Sequence, residues 1–321
     1  MITDPANKII IIDDFHPNFI TSLESAGIAC HYHPMVKAEE VPELIRDFEM
    51  VAVRSKVNFD QSLIDKLPNL KCIARGGAGM DNIDEAYAKA KHIELLNAPE
   101  GNRDAVAEHT IGLLLAMSKS IVKGHREVSH FMWKREANRG WEVGGKTIGL
   151  IGFGNTGTSV AKKLKGFDCN VLAYDKYLSE NEHPELAELV NLNTLLEQSD
   201  VISFHVPLTD ETKWMLNSHL IKDMKDQVVL INTSRGGVVK MADVVNGIKG
   251  GKIKSFACDV LEDEKLENYT EAQRLELKSL VDDYQIIITP HVAGWSFESY
   301  IKIAEVLSEK IKVYTTKAKN I

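Results

Sequence analysis

Short runs of β-branched and apolar residues recur along this chain, each followed by a stretch with helical spacing. That alternation confines it to parallel sheets joined by crossover helices, an α/β architecture. Lys8–Ile12, Met50–Arg54 and Leu70–Ala74 read as strands, with a helical pattern at Gln61–Leu67, and Glu94–Asn97 reads as a fourth strand. A second series starts at Lys146–Gly152. It continues at Asn170–Asp175, Val201–His205, Val228–Asn232, Ser255–Asp259 and Gln285–Thr289. Between the two series, Asp104–Ser120 reads as one long helix and a candidate connector between domains. From Ser296 onward Ile301, Ala304, Leu307 and Ile311 recur at the spacing of one apolar helix face. With 321 residues there is chain for about two domains. The layout strand, turn, helix, strand, glycine pair occurs in "VAVRS…LIDKLPNLKCIARGGAG" and again in "VISFHVPLT…LIKDMKDQVVLINTSRGG". It fits two related domains, or the repetition common to any α/β chain.

The segment Lys146-Thr-Ile-Gly-Leu-Ile-Gly152-Phe-Gly154-Asn-Thr-Gly157 contains G-x-G-x-x-G. An apolar strand precedes it, a helical pattern follows, and Asp175 closes the next strand 23 positions after Gly152. This context predicts a dinucleotide site. Gly152 permits the tight turn, Gly154 lets the backbone approach a pyrophosphate, and Gly157 lets the helix pack close to the strand. The helix N-terminus then holds the phosphates. Asp175 accepts from the ribose hydroxyls and repels a 2′-phosphate, which favours NAD over NADP; the neighbouring Lys176 weakens that preference.

Three further segments end strands of the same series. They are Leu230-Ile-Asn-Thr-Ser-Arg235-Gly-Gly237, Phe256-Ala-Cys-Asp259-Val-Leu-Glu-Asp-Glu264, and Gln285-Ile-Ile-Ile-Thr-Pro-His291-Val-Ala-Gly294. In open α/β sheets ligands bind at the carboxyl ends of strands, so the three are expected to meet there. A histidine is the usual proton carrier near neutral pH. An arginine fork matches a carboxylate. Glu264 gains its interest from His291, whose tautomer a carboxylate fixes. Asp259 accepts from a nicotinamide amide or merely ends a strand.

Composition narrows the class. Apolar residues make up 44% and charged residues 26%, with 38 basic against 46 acidic side chains and a net charge of −8. That balance argues against nucleic-acid and membrane partners, which need a basic face. Cys30, Cys72, Cys169 and Cys258 stand far apart with no C-x-x-C pair. The expectation is reduced thiols in a cytoplasmic protein, without a disulfide framework or a zinc site. The N-terminus carries no signal pattern. His31-Tyr-His33 has ligand-like spacing but no third ligand nearby, so no metal is expected.

Taken in order, "GFGNTG…AYD", "HVPLT", "NTSRGG", "ACDVLEDE" and "TPHVAG" resemble the D-isomer-specific 2-hydroxyacid dehydrogenase family. "VRS", "ARGGAGMDNID" and "NAPEGNRDAVAEHT" resemble its phosphoglycerate dehydrogenase branch. The resemblance implies two Rossmann-like parallel-sheet domains. One is a flavodoxin-like substrate domain from residues 1–100 and 293–321; the other is an NAD-binding domain from residues 101–292, with a cleft between them that closes on substrate. It implies Arg235, Glu264 and His291 as the catalytic set, with Arg235 on the substrate carboxylate and His291 as acid/base at the C2 oxygen. For the cofactor it implies Ala78, Gly152, Gly154, Asn155, Thr156, Gly157, Asp175, Val206, Pro207, Thr233, Ser234, Arg235, Asp259, His291 and Gly294. For the substrate it implies Arg54, Ser55, Gly77, Ala78, Gly79, Arg235 and His291.

The resemblance implies a small 2-hydroxy or 2-keto acid as substrate, with 3-phosphoglycerate as the first reading. Hydroxypyruvate, glyoxylate or D-lactate chemistry is the alternative within the family, and a non-catalytic NAD-sensing protein the alternative outside it. Val57 and Asn58 depart from the branch, leaving Lys56 as a substitute phosphate ligand. Lys265 replaces a proline, and Trp295 is bulkier than usual, which reads as packing for the last helix. The chain ends soon after the His291 motif, so the branch's regulatory domains are not expected. The aromatic and basic stretch Phe131–Trp141 belongs, by resemblance, to a homodimer contact, with Arg135 or Arg139 reaching a neighbour.

Overall fold

The computed structural model describes residues 7–180, 182–282 and 285–318. The chain divides into two compact units, a terminal unit from residues 1–102 and 295–321, and a middle unit from residues 103–294.

The terminal unit holds a five-stranded parallel sheet: β1 (Lys8–Ile11), β2 (Ala29–Tyr32), β3 (Met50–Val53), β4 (Cys72–Arg75) and β5 (Glu94–Leu96). Their order is β2-β1-β3-β4-β5, the flavodoxin-like winding. Met50, Val51, Ala52 and Val53 are all buried, because helices cover both faces of a parallel sheet. One face carries Ile9, Ile11, Met50, Ala52 and Ala74, packed on Ile303, Ala304, Leu307 and Ile311 of the last helix, Phe297–Ala318. Each fully buried Ile, Leu or Met side chain among them contributes about 1.5–3 kcal/mol. The other face packs Ile10, Val51, Val53 and Ile73 on Ile45, Phe59 and Leu63.

β2 is a strand the hydrophobic pattern does not announce. Ala-Cys-His-Tyr is half-buried to exposed because β2 lies at the edge of the sheet. His31, noted above for its ligand-like spacing, packs edge-on against Phe48 at 5.0 Å.

The middle unit holds a seven-stranded parallel sheet. Its strands are β6 (Thr147–Ile151), β7 (Asn170–Tyr174), β8 (Glu188–Leu189), β9 (Val201–Phe204), β10 (Val228–Asn232), β11 (Ile253–Cys258) and β12 (Ile286–Ile288). The order β12-β11-β10-β9-β6-β7-β8 places the reversal of winding between β6 and β9. That reversal is where a doubly wound sheet opens a crevice for a ligand.

The register aligns the strand ends. Ile288 pairs with Cys258, Cys258 with Asn232, Asn232 with Phe204, Phe204 with Ile151, and Ile151 with Tyr174. The next residue of each strand therefore stands on one carboxyl edge. In that order they are Thr289, Asp259, Thr233, His205, Gly152 and Asp175.

Strand ends shift by one or two residues from the sequence reading, and two helices shift further. The long helix runs Pro99–Ser118, earlier at both ends. Pro99 opens it because proline's fixed φ suits the first helical turn. Ser120 then takes φ +51° and a second helix begins at Ile121. The helix near Gln61 stops at Ile64 and continues only as turns.

Candidate active site

The edge of the middle unit is built loop by loop. After β6, Gly152 has φ +94°, a left-handed backbone suited to glycine, and a Cβ there would come within 2.5 Å of the His205 carbonyl oxygen. Over Gly154 the space is open. Helix Asn155–Leu164 starts there, with Gly154 as its N-cap, Thr156 in its first turn and Gly157 buried. Its first N–H groups lack intrahelical partners and suit an anion. The Asp175 carboxylate accepts from the amide of Phe153 at 2.9 Å and from that of Tyr177 at 3.0 Å. It thus ties the glycine turn to the end of β7. Gly152, Gly154, Asp175, His205, Val206 and Pro207 line one cavity of about 290 Å³, near the lower end of ligand sites. An open groove over Gly154, unpaired helix donors and an adjacent carboxylate fit a dinucleotide. Lys176 is taken up by Glu211, with both oxygens at 2.6 Å. That pairing competes with any role on a 2′-phosphate, and nothing in the sequence pointed to Glu211.

After β10, Asn232 organises the turn. Its side chain accepts from the Ser234 amide at 3.0 Å and hydroxyl at 2.7 Å, and donates to the Arg235 carbonyl at 2.9 Å. The Thr233 hydroxyl is 3.0 Å from that of Thr110. A Cβ on Gly236 would come within 1.7 Å of the Leu261 carbonyl oxygen, so only glycine lets the Arg235 turn lie against the loop that leads to Glu264.

After β11 and β12, two loops lock together. Asp259 is 1% exposed. Its Oδ1 accepts from the Thr289 hydroxyl at 2.5 Å and the Val292 amide at 2.9 Å, and its Oδ2 from the Ala293 amide at 2.7 Å. Its carbonyl accepts from the His291 amide at 2.8 Å. His109, on the long helix, reaches Thr289 Oγ1 at 2.9 Å and lies 3.6 Å from Asp259 Oδ1. His291 itself has φ +55°, unusual for a side chain of its size. This concentration of bonds holds that strained turn, and strained backbone gathers at working sites. His291 Nδ1 is 2.8 Å from Glu264 Oε2. With Nδ1 on the carboxylate, Nε2 is the atom left to exchange a proton. The amide of Lys265 donates to Asp263 at 2.9 Å, a bond that proline could not make.

Glu264 and His291 are thus in contact, and Arg235 follows the strand two places from β12 on the same edge. Gly294 completes the anchored turn. Sequence reasoning missed His109 and Glu211, and it read Asp259 without its role as the tie between two loops. The carboxyl edge of the terminal unit carries the other group. Arg54 and Ser55 follow β3, and Gly77, Ala78 and Gly79 follow β4. The Ala78 carbonyl accepts from Asn97 at 2.7 Å.

One sequence reading needs correcting here. Trp295 does not pack into the core: it is 62% exposed, and its ring lies over the Arg54 guanidinium at 4.5 Å. It precedes the last helix instead of joining its apolar face, because Ser296 and Ser299 cap one another through reciprocal hydroxyl–amide bonds. The Lys56 ammonium donates to the Pro34 carbonyl, which occupies one of its three donors.

A sequence model described as the NAD-binding domain of the D-isomer specific 2-hydroxyacid dehydrogenases matches residues 111–293. The chain belongs to that family. Its middle unit contains the family's NAD-binding domain, and NAD is the cofactor that this domain takes. Among relatives, the hydroxypyruvate reductase of Thermotoga maritima is 37% identical over 276 residues, 86% of this chain and 88% of its own length. The D-3-phosphoglycerate dehydrogenase of Archaeoglobus fulgidus is 34% identical over 305 residues, 95% of this chain but 56% of its own. The chain therefore spans a little over half the length of that 2-hydroxyacid dehydrogenase. Among solved structures, the D-lactate dehydrogenase of Aquifex aeolicus, complexed with NAD and lactic acid, superposes with a TM-score of 0.81 at 29% identity. That match covers 98% of this chain and 96% of the other.

Proposed function

We propose that this protein is an NAD-dependent D-2-hydroxyacid dehydrogenase acting at C2 of a small 2-hydroxy or 2-keto acid, with 3-phosphoglycerate as the first reading and hydroxypyruvate, glyoxylate or D-lactate as alternatives. The observation that carries the reading is the 2.8 Å contact of His291 Nδ1 with Glu264 on a strained, heavily anchored turn. Bound NAD supplies the hydride acceptor, and in its reduced form the donor. In oxidation, the C2 hydroxyl proton passes to Nε2 of neutral His291 as hydride leaves C2. In reduction, the same Nε2 returns the proton to the keto oxygen. Glu264 holds Nδ1–H, keeps the ring in the tautomer with a free Nε2, and stabilises the imidazolium. Arg235 binds the C1 carboxylate with two parallel N–H bonds and so presents one face of C2. Asp259 and Asp175 hold the loops that meet the two ends of the cofactor, and Asp175 accepts from the ribose hydroxyls. On the terminal unit, Arg54, Ser55, Gly77, Ala78 and Gly79 are the proposed substrate contacts.

The assembly we infer is a homodimer through helix Ile121–Ser129 and the stretch after it. Phe131 is 99% and Trp133 84% exposed there, beside exposed Ile121, Val122 and Val128. Apolar surface so concentrated is characteristic of an interface. Among the described residues no single helix is long and apolar enough to cross a membrane. All four cysteines are free, which supports a reducing, cytoplasmic setting.

A steady-state screen of 3-phosphohydroxypyruvate, hydroxypyruvate, glyoxylate and pyruvate with NADH tests the activity. At least one acid should be reduced with saturation. Tight NADH binding without reduction of any acid would favour an NAD-sensing protein instead.

A further inference from the structure

Two consecutive residues of the long helix Pro99–Ser118 reach the carboxyl edge of the middle unit. Ala107, Leu113 and Leu114 pack that helix against Ile231 and Ala257, the penultimate residues of β10 and β11. The polar pair His109 and Thr110 then stands over the strand ends. Thr110 donates its hydroxyl proton to the Val106 carbonyl at 2.8 Å and lies 3.0 Å from the hydroxyl of Thr233, the first residue after β10. His109 Nε2 lies 2.9 Å from Oγ1 of Thr289, the first residue after β12.

A count of protons fixes the direction of the His109 contact. Thr289 has one hydroxyl proton and gives it to Asp259 Oδ1 at 2.5 Å. The Thr289 oxygen is therefore the acceptor toward His109, and His109 Nε2 carries hydrogen. His291 is arranged the other way: Glu264 holds its Nδ1 at 2.8 Å, which leaves Nε2 to exchange a proton. Two histidines on one edge thus hold opposite tautomers, one a fixed donor and the other a proton carrier.

We propose that His109 is a positioning residue that holds the His291 turn through the Thr289 hydroxyl and the Asp259 carboxylate. The chain of donors ends on a carboxylate that is 1% exposed and also takes the Val292 and Ala293 amides, on the far side of His291. Without the His109 donor, the Thr289 oxygen loses a partner and its side chain is free to turn away from Asp259. Pro290 lies between Thr289 and His291, and its fixed φ passes a displacement of one to the other. The effect on rate rests on the dehydrogenase reading above; the assigned tautomers do not.

The test compares wild type, His109→Leu and His109→Gln. Leucine fills most of the imidazole's space without a donor, whereas the glutamine amide returns an N–H close to the Nε2 position. The first measurement is the nitrogen-15 spectrum of histidine-labelled, cofactor-free protein at alkaline pH. The His109 and His291 signals are assigned by their absence from His109→Gln and His291→Ala. Wild type should show hydrogen on Nε2 of His109 and on Nδ1 of His291. His109→Leu should show His291 as a mixture of tautomers, and His109→Gln should return it to the Nδ1 form. A His109 with bare Nε2, or a His291 spectrum unchanged in His109→Leu, overturns the proposal. If His109→Leu does not fold, the wild-type tautomers and His109→Gln decide.

The second measurement is steady-state reduction of the best acid by NADH. His109→Leu should lower kcat about tenfold, the worth of about one hydrogen bond, while both KM values stay within about twofold. His109→Gln should recover most of the rate. Equal kcat in all three proteins, a KM that rises in step with the loss, or a glutamine variant as slow as the leucine one overturns the proposal. If no acid is reduced, the dehydrogenase reading fails, and the tautomers alone decide whether His109 positions the turn.

Discussion

The amide of His291 donates to the carbonyl of Asp259 at 2.8 Å, although His291 has a left-handed backbone with φ +55°. A histidine takes that conformation at a cost of order 1–3 kcal/mol and keeps it only where its surroundings overdetermine it. Here they do: the Asp259 carboxylate takes the next two amides and the Thr289 hydroxyl as well. The turn is held so that the imidazole meets Glu264, and the proposed chemistry depends on that pairing.

Replacing His291 by Ala should reduce kcat by about 10²–10⁴-fold, the worth of a positioned acid/base. NADH affinity, read by fluorescence titration, should change little. Glu264→Gln should give a smaller loss and alter the pH profile of kcat/KM. A rate loss below threefold for His291→Ala would remove the residue from the mechanism.

Asp259→Asn puts a donor where two amides and a hydroxyl all donate. The buried mismatch should cost about 2–4 kcal/mol of stability, seen as a lowered urea midpoint. It should also slow turnover in the fraction that remains folded, because the His291 turn loses its anchor. Wild-type stability with wild-type rate would show that the carboxylate is dispensable.

Asp175→Ala removes the carboxylate proposed for the ribose and also frees the Phe153 amide. The ratio of kcat/KM for NADH to that for NADPH should fall at least tenfold. Adding Glu211→Ala, which releases Lys176, should lower it further. A ratio that stays constant in Asp175→Ala would refute the ribose assignment.

His205 gives a pH signature. Both its ring nitrogens are buried without a hydrogen-bond partner among the described residues, although the residue keeps partial exposure. Burial lowers its pKa from 6.5 to about 4. The folded value lies below the unfolded one, so the unfolded chain binds the extra proton first. The stability is intact above pH 6.5 and is lost as pH falls toward 4, by up to about 3 kcal/mol. Urea midpoints of the cofactor-free protein across that window should fall less steeply in His205→Asn. Parallel curves for the two proteins would contradict this account.

The fold was readable where the strands are buried on both faces. Met50–Val53 and Val228–Ile231 are continuous apolar runs, and such runs mark parallel strands. β2 escaped because an edge strand needs only one protected face, and His31 and Tyr32 carry no alternation. The glycine loop, Arg235 and His291 were legible because each stands at the end of a strong strand signal. Glu264 was readable only through its motif, since within the acidic run Glu262-Asp-Glu nothing local separates it from its neighbours. The Arg54–Trp295 pairing joins positions 241 residues apart, and periodicity along the chain carries no information on such a contact.

The central claim is transfer of hydride to C2 with a proton from His291, and isotope labelling tests it most directly. The enzyme is given 4-deuterated NADH, labelled on each face in turn, with the best substrate from the panel, and the product is examined by NMR and chiral chromatography. The account predicts one deuterium at C2 of a D-2-hydroxy acid from one of the two labelled forms, and loss of that product in His291→Ala. An L product, a product with no deuterium at C2 from either form, or equal yield from His291→Ala would contradict it.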